Sequence, residues 1–430
     1  MANHEPLQIG LAGLGNVGAG VYKNLLRNRD LLRERTGREL HVKRAVVNDP
    51  GKKRDFDIPA DLISTRLEDL IEDDEISIVV ELIGGIDKAR HLISESLKRG
   101  KIVVTANKAL LAEHGKELFA LAEKHDTSIY FEAAVAGGIP IIKTVQESFV
   151  GNRIDSMVGI INGTSNYILT RMDQADLSYE DALKEAQDLG YAEADPTLDI
   201  NGGDAAHKAV ILASLSYGCW VPFEDVYMEG IQSIRRVDIQ FADDLGYAVK
   251  LLAVIRLCCD DRIEVRIQPS LVPHSHILAS VNGVFNAIAV KGDIVGETLF
   301  YGSGAGQDPT SSSVISDLAD AALRKHRSGF VPHGLYGKPL PIDESISQFY
   351  LRLMVDDRPG VMAQIATILG DSDIGILSMI QLEADDEESA PIVLMLHDAA
   401  FGTAKQAVAQ IGALDCVRDE PVLLRVENLG

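Results

Sequence analysis

The chain has 430 residues, 46% hydrophobic and 24% charged, which is enough apolar material for two or three packed domains and excludes a disordered polymer. A formal charge of −23 argues against nucleic acid or an anionic membrane as a partner. No apolar run approaches the roughly 20 residues that span a bilayer. The start of the chain has no basic, cleavable leader, so a cytoplasmic protein is expected.

The predicted elements fall into three stretches. Strands are expected at 7–11, 41–47, 76–82, 102–105 and 128–131, with helices at 17–34, 66–72, 88–99 and 108–125 between them. Such alternation predicts an α/β fold with a Rossmann-like, doubly wound parallel sheet. From 134 to about 324 the pattern changes to helices at 167–173, 179–189 and 203–217, then strands at 251–258, 264–270 and 287–292. This reads as an α+β catalytic and dimerisation domain. A glycine-rich loop at 302–306 leads into a helix at 309–325, expected to return to the first domain. After a linker rich in Gly and Pro at 327–345 come a strand at 348–355, a helix at 361–372, strands at 376–382 and 392–396, a helix at 402–411 and a strand at 422–426. That βαββαβ order predicts a small ferredoxin-like domain. The expected domains are therefore 1–133 (with about 306–326), 134–305 and 346–430. The last of these carries five basic against 14 acidic residues, and its run 385–388 reads as a solvated loop. Cys219, Cys258, Cys259 and Cys416 lack the CxxC spacing of a zinc site, and the adjacent Cys258 and Cys259 read as buried, reduced thiols.

Gly13, Leu14, Gly15, Asn16, Val17 and Gly18 follow a strand and open a helix, the context in which GxGxxG signals dinucleotide binding. Gly13 serves a tight turn, Gly15 admits the pyrophosphate, and Gly18 lets helix and strand pack closely. Past the second strand stand Asp49, which suits the 2′-hydroxyl of NAD, and Lys52, Lys53 and Arg54, which suit the 2′-phosphate of NADP. The expectation is NADP(H), with Arg54 as a contact and NAD(H) also usable. Lys108, just beyond the fourth strand, stands where open α/β sheets bind ligands, within reach of the nicotinamide or a substrate carbonyl.

Asp204 and Lys208 lie four residues apart, on one face of a helix starting near Gly203. The following Ala209–Ala213 is apolar all round, so the helix is expected to be buried. Charges in its first turn are costly unless paired or used, and the positive end of the helix dipole should lower the pKa of Lys208. Such a lysine is a suitable proton donor to a developing alkoxide. Glu193, Asp195 and Asp199 precede it, and several carboxylates near one lysine suit a substrate with an ammonium group. A divalent metal is the competing explanation, weakened by the absence of histidine ligands.

These residues resemble the homoserine dehydrogenase signature: Ala186, Gly190, Tyr191, Ala192, Asp195, Pro196, Asp199, Ile200, Gly202, Asp204 and Lys208 stand at its spacing without a gap. Further matches are Asn162–Asn166 and Thr105–Lys108, in the same order. The resemblance implies reversible reduction of L-aspartate 4-semialdehyde to L-homoserine with NADPH or NADH, a step towards threonine, methionine and isoleucine. It implies Lys208 as the acid/base residue, with Lys108 a second candidate. Glu193 then holds the substrate amino group, Asp204 assists near the reacting oxygen, and Gly190 and Gly306 line the cofactor or substrate. It also implies a monovalent cation, Na⁺ or K⁺, at Glu132, Val135, Gly137 and Ile139. The glycine turn begins at once, so a stand-alone dehydrogenase without a kinase half is expected. The last domain resembles an ACT domain, whose turn at Asp357, Arg358, Pro359 and Gly360 implies an amino-acid effector, threonine, and subunit pairing into a homodimer or homotetramer. Two rival readings are another amino-acid-linked dehydrogenase on the same scaffold and a non-catalytic amino-acid sensor.

Overall fold

The computed structural model describes residues 6–54, 56–323, 332–381 and 389–429. The start of the chain, the end of the helix expected at 309–325, part of the linker and the acidic run 385–388 lie outside them. Contacts divide the chain into two compact units. The first comprises Met1–Asp155, His207–Phe223 and Val290–Tyr336, and the second Ser156–Ala206, Glu224–Ala289 and Gly337–Gly430.

The first unit is built on β1 (Leu7–Ala12), β2 (Leu40–Val46), β3 (Ile63–Ser64), β4 (Ile76–Glu81), β5 (Ile102–Thr105) and β6 (Ile129–Tyr130). They form a parallel sheet in the order β3-β2-β1-β4-β5-β6. The order reverses at β1 and β4, the switch point beyond whose carboxyl ends such sheets bind ligands. Ile9, Leu11, Ile78, Val80 and Val104 are fully buried, because a sheet covered on both faces needs apolar side chains on both. The helix expected at 17–34 is two helices, Asn16–Arg27 and Arg29–Thr36. Asn28 leaves helical geometry between them (φ −105°, ψ 18°), as asparagine readily does. Helix Gln307–Ala322 packs on Asn16–Arg27, with the Asn24 amide donating to Ser311 Oγ at 3.0 Å and Asp308 Oδ1 at 3.2 Å. Val314, Leu318 and Ala321 of that helix join the core of the sheet.

The further strands are β7 (Ile154–Ile160), β8 (Tyr227–Met228), β9 (Tyr247–Leu257), β10 (Ile263–Pro273), β11 (Phe285–Gly292), β12 (Gly296–Ser303), β13 (Ile346–Asp356), β14 (Ile376–Gln381), β15 (Ser389–Ala400) and β16 (Val422–Val426). In the second unit they run β11-β7-β9-β10-β16-β13-β15-β14, with β8 beside β10. The sequence reading did not anticipate β7, β12 or the helix Arg236–Asp244. In β7 the strand pattern is interrupted by Gly159, where a Cβ would come 2.9 Å from the Ala287 carbonyl oxygen. Cys258 and Cys259 were expected to be buried, yet Cys259 is exposed. The chain turns there, with Asp260 and Asp261 in left-handed geometry, so β9 ends at Leu257.

From β13 onward the order is βαββαβ, with helices Val361–Asp371 and Phe401–Gly412 packed on β13 and β15 around Leu351, Leu353, Ile365, Leu394 and Ile411. This sheet does not end at its own edge. β16 also pairs in parallel with β10, Ser270 opposite Arg425 and Leu271 opposite Val426.

Candidate active site

The glycine turn has the shape its spacing requires. Gly13 adopts φ +99°, and a Cβ there would come 2.6 Å from the Leu82 carbonyl oxygen. A Cβ on Gly18 would run into the Gly13 carbonyl oxygen, whereas one on Gly15 would meet nothing within 4 Å. Gly13 and Gly18 are therefore fixed by backbone packing, and Gly15 faces the open space that a pyrophosphate would take. Gly15 also caps the N-terminus of a 12-residue helix with no acidic side chain in its first turn, favourable for an anion.

A cleft of about 790 Å³ opens beside this turn, lined by Gly13, Leu14 and Gly15 and by residues following β2, β3 and β4. Asn48, Asp49, Lys52 and Arg54 are on its wall, and Lys53 is not among the lining residues. The Asp49 carboxylate accepts from Gly51 N–H at 2.8 Å, so it is partly engaged by its own turn. Arg54 donates to the backbone oxygens of Lys52 at 3.0 Å and Asp49 at 3.1 Å, which folds the basic loop back on itself. Arg66, Lys88 and His91 add positive or protonatable groups that the sequence reading did not single out. Their positions depend on loops and a helix face brought round by the sheet. The residues present fit a nicotinamide dinucleotide: a bare backbone turn for the pyrophosphate and an amphipathic wall for the adenosine end.

Lys108 is half-buried and opens helix Lys108–Lys124, whose N-cap Asn107 accepts from Leu110 N–H at 3.1 Å. Helix Gly203–Tyr217 begins in the second unit and continues in the first, and carries Asp204 and Lys208, each 8% exposed. In the first unit its His207–Tyr217 part lies on the Lys108 helix. His207 stacks on Phe223 at 4.6 Å and lies 4.0 Å from the Glu113 carboxylate. Leu111, Phe119, Ile211, Leu215 and Trp220 line one small apolar gap, and Trp220 fills the space left by Gly115. The two lysine-bearing helices are thus packed side by side.

In the second unit the Asn162 side-chain amide donates to Asp199 Oδ1 at 2.7 Å and to Asp204 Oδ2 at 2.9 Å. Its oxygen accepts from Ser165 N–H at 2.8 Å, capping helix Gly163–Gln174. One asparagine so holds two carboxylates and a helix start. The sequence reading matched Asn162 to the family motif but gave it no role, because its partners are 37 and 42 residues away. The other acidic residues are placed differently. Asp195 turns onto Thr197, accepting from its hydroxyl at 2.6 Å, which holds its carboxyl below the usual range. Glu193 is exposed, with its backbone oxygen accepting from the Gln187 amide at 3.3 Å. Among the described residues no three His, Cys, Asp or Glu side chains are gathered as a metal-ligand set. Gly190, at φ +75°, ends helix Tyr179–Asp188 with its N–H on Gln187 O, so a glycine is required there by the turn itself.

The segment Glu132–Ile139 is buried except at Gly138. Ala136 and Gly137 are both left-handed (φ +54° and +53°), rare for an alanine and costing on the order of 1–3 kcal/mol. The Glu132 carboxylate accepts from Ile142 and Lys143 N–H, each at 2.9 Å. Gly137 O accepts from Ser313 Oγ at 2.7 Å and Ile139 O from Ile141 N–H at 2.8 Å. Each carbonyl retains a second lone pair, so these hard oxygens fit a monovalent cation without being committed to one.

Comparison with known proteins names the architecture. Residues 140–319 match the family homoserine dehydrogenase, 13–132 match the homoserine dehydrogenase NAD binding domain, and 349–416 match the ACT domain. A homoserine dehydrogenase of Pseudomonas aeruginosa is 44% identical, over 99% of this chain and 100% of the relative. The chain belongs to the homoserine dehydrogenase family. The crystal structure of a homoserine dehydrogenase from Thiobacillus denitrificans superposes with a TM-score of 0.91 at 43% identity, over 99% of each chain. A hyperthermophilic archaeal homoserine dehydrogenase in complex with NADPH gives 0.64 at 27% identity, over 75% of this chain and 99% of that one. As a homoserine dehydrogenase the protein is an oxidoreductase acting on a CH–OH group with a nicotinamide cofactor, and its βαββαβ module is an ACT domain. No helix of the described residues is long and apolar enough to cross a membrane.

Proposed function

We propose that the chain interconverts L-aspartate 4-semialdehyde and L-homoserine, with Lys208 as the acid/base residue. The cofactor, when bound, supplies the hydride that reaches the aldehyde carbon. The chain's own part is to place the carbonyl and complete the alcohol: Lys208 gives its proton to the carbonyl oxygen in reduction and receives it back in oxidation. Lys108 is a second cation for that oxygen and a contact for the nicotinamide end. Asp204 assists beside it, Glu193 receives the substrate ammonium group, and Gly190 and Gly306 line the ligand. The observation that carries this reading is the burial of Lys208 on a helix packed against the one that Lys108 opens, since a lysine is seldom buried without a use.

The cofactor preference we assign is NADP(H), with NAD(H) usable. Supporting it are Lys52, Arg54 and Arg66 on the cleft wall and the engagement of Asp49 with Gly51; the structure of the archaeal relative is a complex with NADPH. Na⁺ or K⁺ at Glu132, Val135, Gly137 and Ile139 is supported by the buried carbonyls of that strained loop. A threonine effector is assigned to the turn at Gly360 (φ +92°), which precedes the 11-residue helix Val361–Asp371 and offers backbone N–H groups to a carboxylate. The exposed Leu377 and Met379 of the outer strand β14 suit pairing of subunits into a homodimer or homotetramer in the cytoplasm. The functional division we assign is 1–133 with about 306–326 for the cofactor, 134–305 for catalysis and dimerisation, 327–345 as linker, and 346–430 for regulation.

The test is steady-state oxidation of homoserine by the full chain with either cofactor, with and without threonine. Lys208→Ala should lose about 10²–10⁴ in kcat while retaining cofactor affinity. Near wild-type kcat in that variant removes Lys208 from the reaction. No turnover of homoserine by the wild type removes the substrate.

A further inference from the structure

The carboxyl ends of β4 and β5 hold a chain of hydrogen bonds that the glycine turn and the catalytic lysine do not account for. Glu81 ends β4 and is fully buried. Its Oε1 accepts from Ile83 N–H at 2.9 Å and Gly84 N–H at 3.1 Å. Its Oε2 accepts from the Thr105 hydroxyl at 2.6 Å, at the end of β5. Thr105 Oγ1 accepts in turn from Asn107 N–H at 3.0 Å. The Asn107 amide donates to Gly85 O at 2.7 Å while its oxygen caps the helix that Lys108 opens. One carboxylate therefore holds two loops, and Asn107 closes the ring between them.

The first of these loops faces the dinucleotide cleft. Leu82 and Ile83 line the dinucleotide cleft, as do Asp87, Lys88 and His91 at the start of the helix that follows. Gly84 and Gly85 are consecutive left-handed residues (φ +68° and +71°) with open space around both Cβ positions. Their conformation, not crowding, demands glycine, and two such residues in sequence form a loop with little stiffness of its own. Something else must fix it. Burial pushes the Glu81 carboxyl up, against a hydroxyl, two backbone N–H groups and the Asn107 amide, and none of these groups carries a charge. Burying an acidic group on neutral partners is a poor way to hold a sheet together, since an apolar side chain costs less. It is a good way to fix a mobile loop, because bonds to a charged acceptor are roughly twice as strong as neutral ones.

We propose that Glu81 is a positioning residue for the reaction, holding the Ile83–Gly85 loop against the cofactor and, through Thr105 and Asn107, the start of the Lys108 helix. Cofactor placement rests on the family's nicotinamide chemistry, and the effect through Lys108 rests on the role proposed for it above. Both arms can be cut separately. Glu81→Gln keeps an oxygen for Ile83 and Gly84 but presents an amide to Thr105, which already accepts from Asn107. Thr105→Val keeps the strand's shape and removes only the second arm.

The test is NADPH binding by fluorescence, steady-state kinetics with homoserine, and thermal unfolding, on the full chain. Glu81→Ala should weaken NADPH binding by about tenfold or more and lower kcat by about tenfold or more. Glu81→Gln should recover NADPH affinity to within about threefold of wild type while kcat stays low. Thr105→Val should leave NADPH affinity unchanged and lower kcat by about fivefold or more. A cooperatively folded Glu81→Ala with wild-type affinity and kcat overturns the proposal. If that variant does not fold, wild-type kcat in Thr105→Val overturns it. Failure of the wild type to oxidise homoserine would count against the substrate and not against Glu81, whose effect on NADPH binding is read without substrate.

Discussion

The parallel sheet of the first unit and the mixed sheet of the second place their polar groups in opposite ways. Along β1, β4 and β5 the buried side chains are apolar until the carboxyl ends, where Glu81 and Thr105 stand. In the second unit the charges lie in mid-sheet. Arg266, Arg352 and Arg425 are all at most 1% exposed, with Glu264 and Gln268 beside them on β10. Arg266 donates to Glu264 at 2.9 Å and pairs with Glu427, Arg256 also pairs with Glu264, and Arg425 donates to Gln268 at 2.9 Å and to Ser345 and Ser347 at 2.8 Å. Arg352 donates to Asp238 at 2.6 Å, and Tyr350 to the same carboxylate at 3.1 Å. The ACT-domain strands β13 and β16 are thereby fastened to β10 and to helix Arg236–Asp244. Polar groups at strand ends leave a sheet free to bind a ligand, whereas charges in mid-sheet specify which strand sits beside which.

The largest effect should therefore come from breaking the mid-sheet network. Glu264 lies near three arginines; against desolvation that would raise it, Arg266, Arg256 and the Ser345 hydroxyl hold its carboxyl down to about 2. Glu264→Gln leaves buried guanidinium groups short of an anion and should destabilise the protein by about 3–5 kcal/mol in denaturant unfolding. The acid limb gives the sign. Because the folded carboxyl titrates below its ordinary 4.5, its stabilisation is present above that pH and is lost as pH falls towards 2. The variant should lack that part of the wild type's acid sensitivity. An unchanged unfolding midpoint would mean the network does not fasten β13 and β16 to β10. For the same reason a chain cut after Ser345 would strip β16 and β13 from β10, so feedback must be tested on the full chain.

In the first unit the corresponding break is at the glycine turn, and it should affect binding before stability. Gly13→Ala combines a positive φ with a Cβ 2.6 Å from a carbonyl oxygen, and should lower NADPH affinity by about 10²-fold through displacement of the turn. Gly15→Ala meets no protein atom and should leave thermal unfolding unchanged while still weakening NADPH, because its methyl occupies the pyrophosphate's space. Equal effects of the two on the melting temperature would show that the distinction between packing and ligand space is mistaken.

This contrast also explains what was legible in the sequence. The glycine turn, the strand–helix alternation of the nucleotide-binding sheet and the start of helix Gly203–Tyr217 could be read because each is local: a spacing, an alternation, an apolar run. Arg266 and Arg425 could not, since an arginine in a strand ordinarily marks a solvent-facing position, and apart from Glu264 their partners are 78 to 161 residues away. Gly159 in β7 similarly hid a strand, because it records the approach of Ala287 from a distant strand. At the candidate site Lys208 stood out through its helix, but Asn162 and Glu81 did not. Each earns its place by joining segments that only the fold brings together.

The smallest effect expected concerns a mid-sheet cation held by neutral groups. Lys250 on β9 donates to Val281 O and Asn282 Oδ1, each at 2.8 Å, and desolvation pushes it down to about 8 from 10.5. It thus resembles Glu81 in its partners and Arg266 in its position. Between those two pH values the unfolded chain binds the proton that the folded chain has released, so this residue makes stability rise with pH. Below about pH 8 both states are charged, and above 10.5 both are neutral, so the contribution is level outside the window. The expected rise is about 1–2 kcal/mol, less than the full difference permits because both hydrogen bonds favour the charged form. Lys250→Met should remove the slope when unfolding free energies of variant and wild type are subtracted across pH 7.5–10.5. A difference that stays flat would mean that the ammonium group is solvated in the folded protein, and that mid-sheet charge in the second unit is tolerated without an ionised partner.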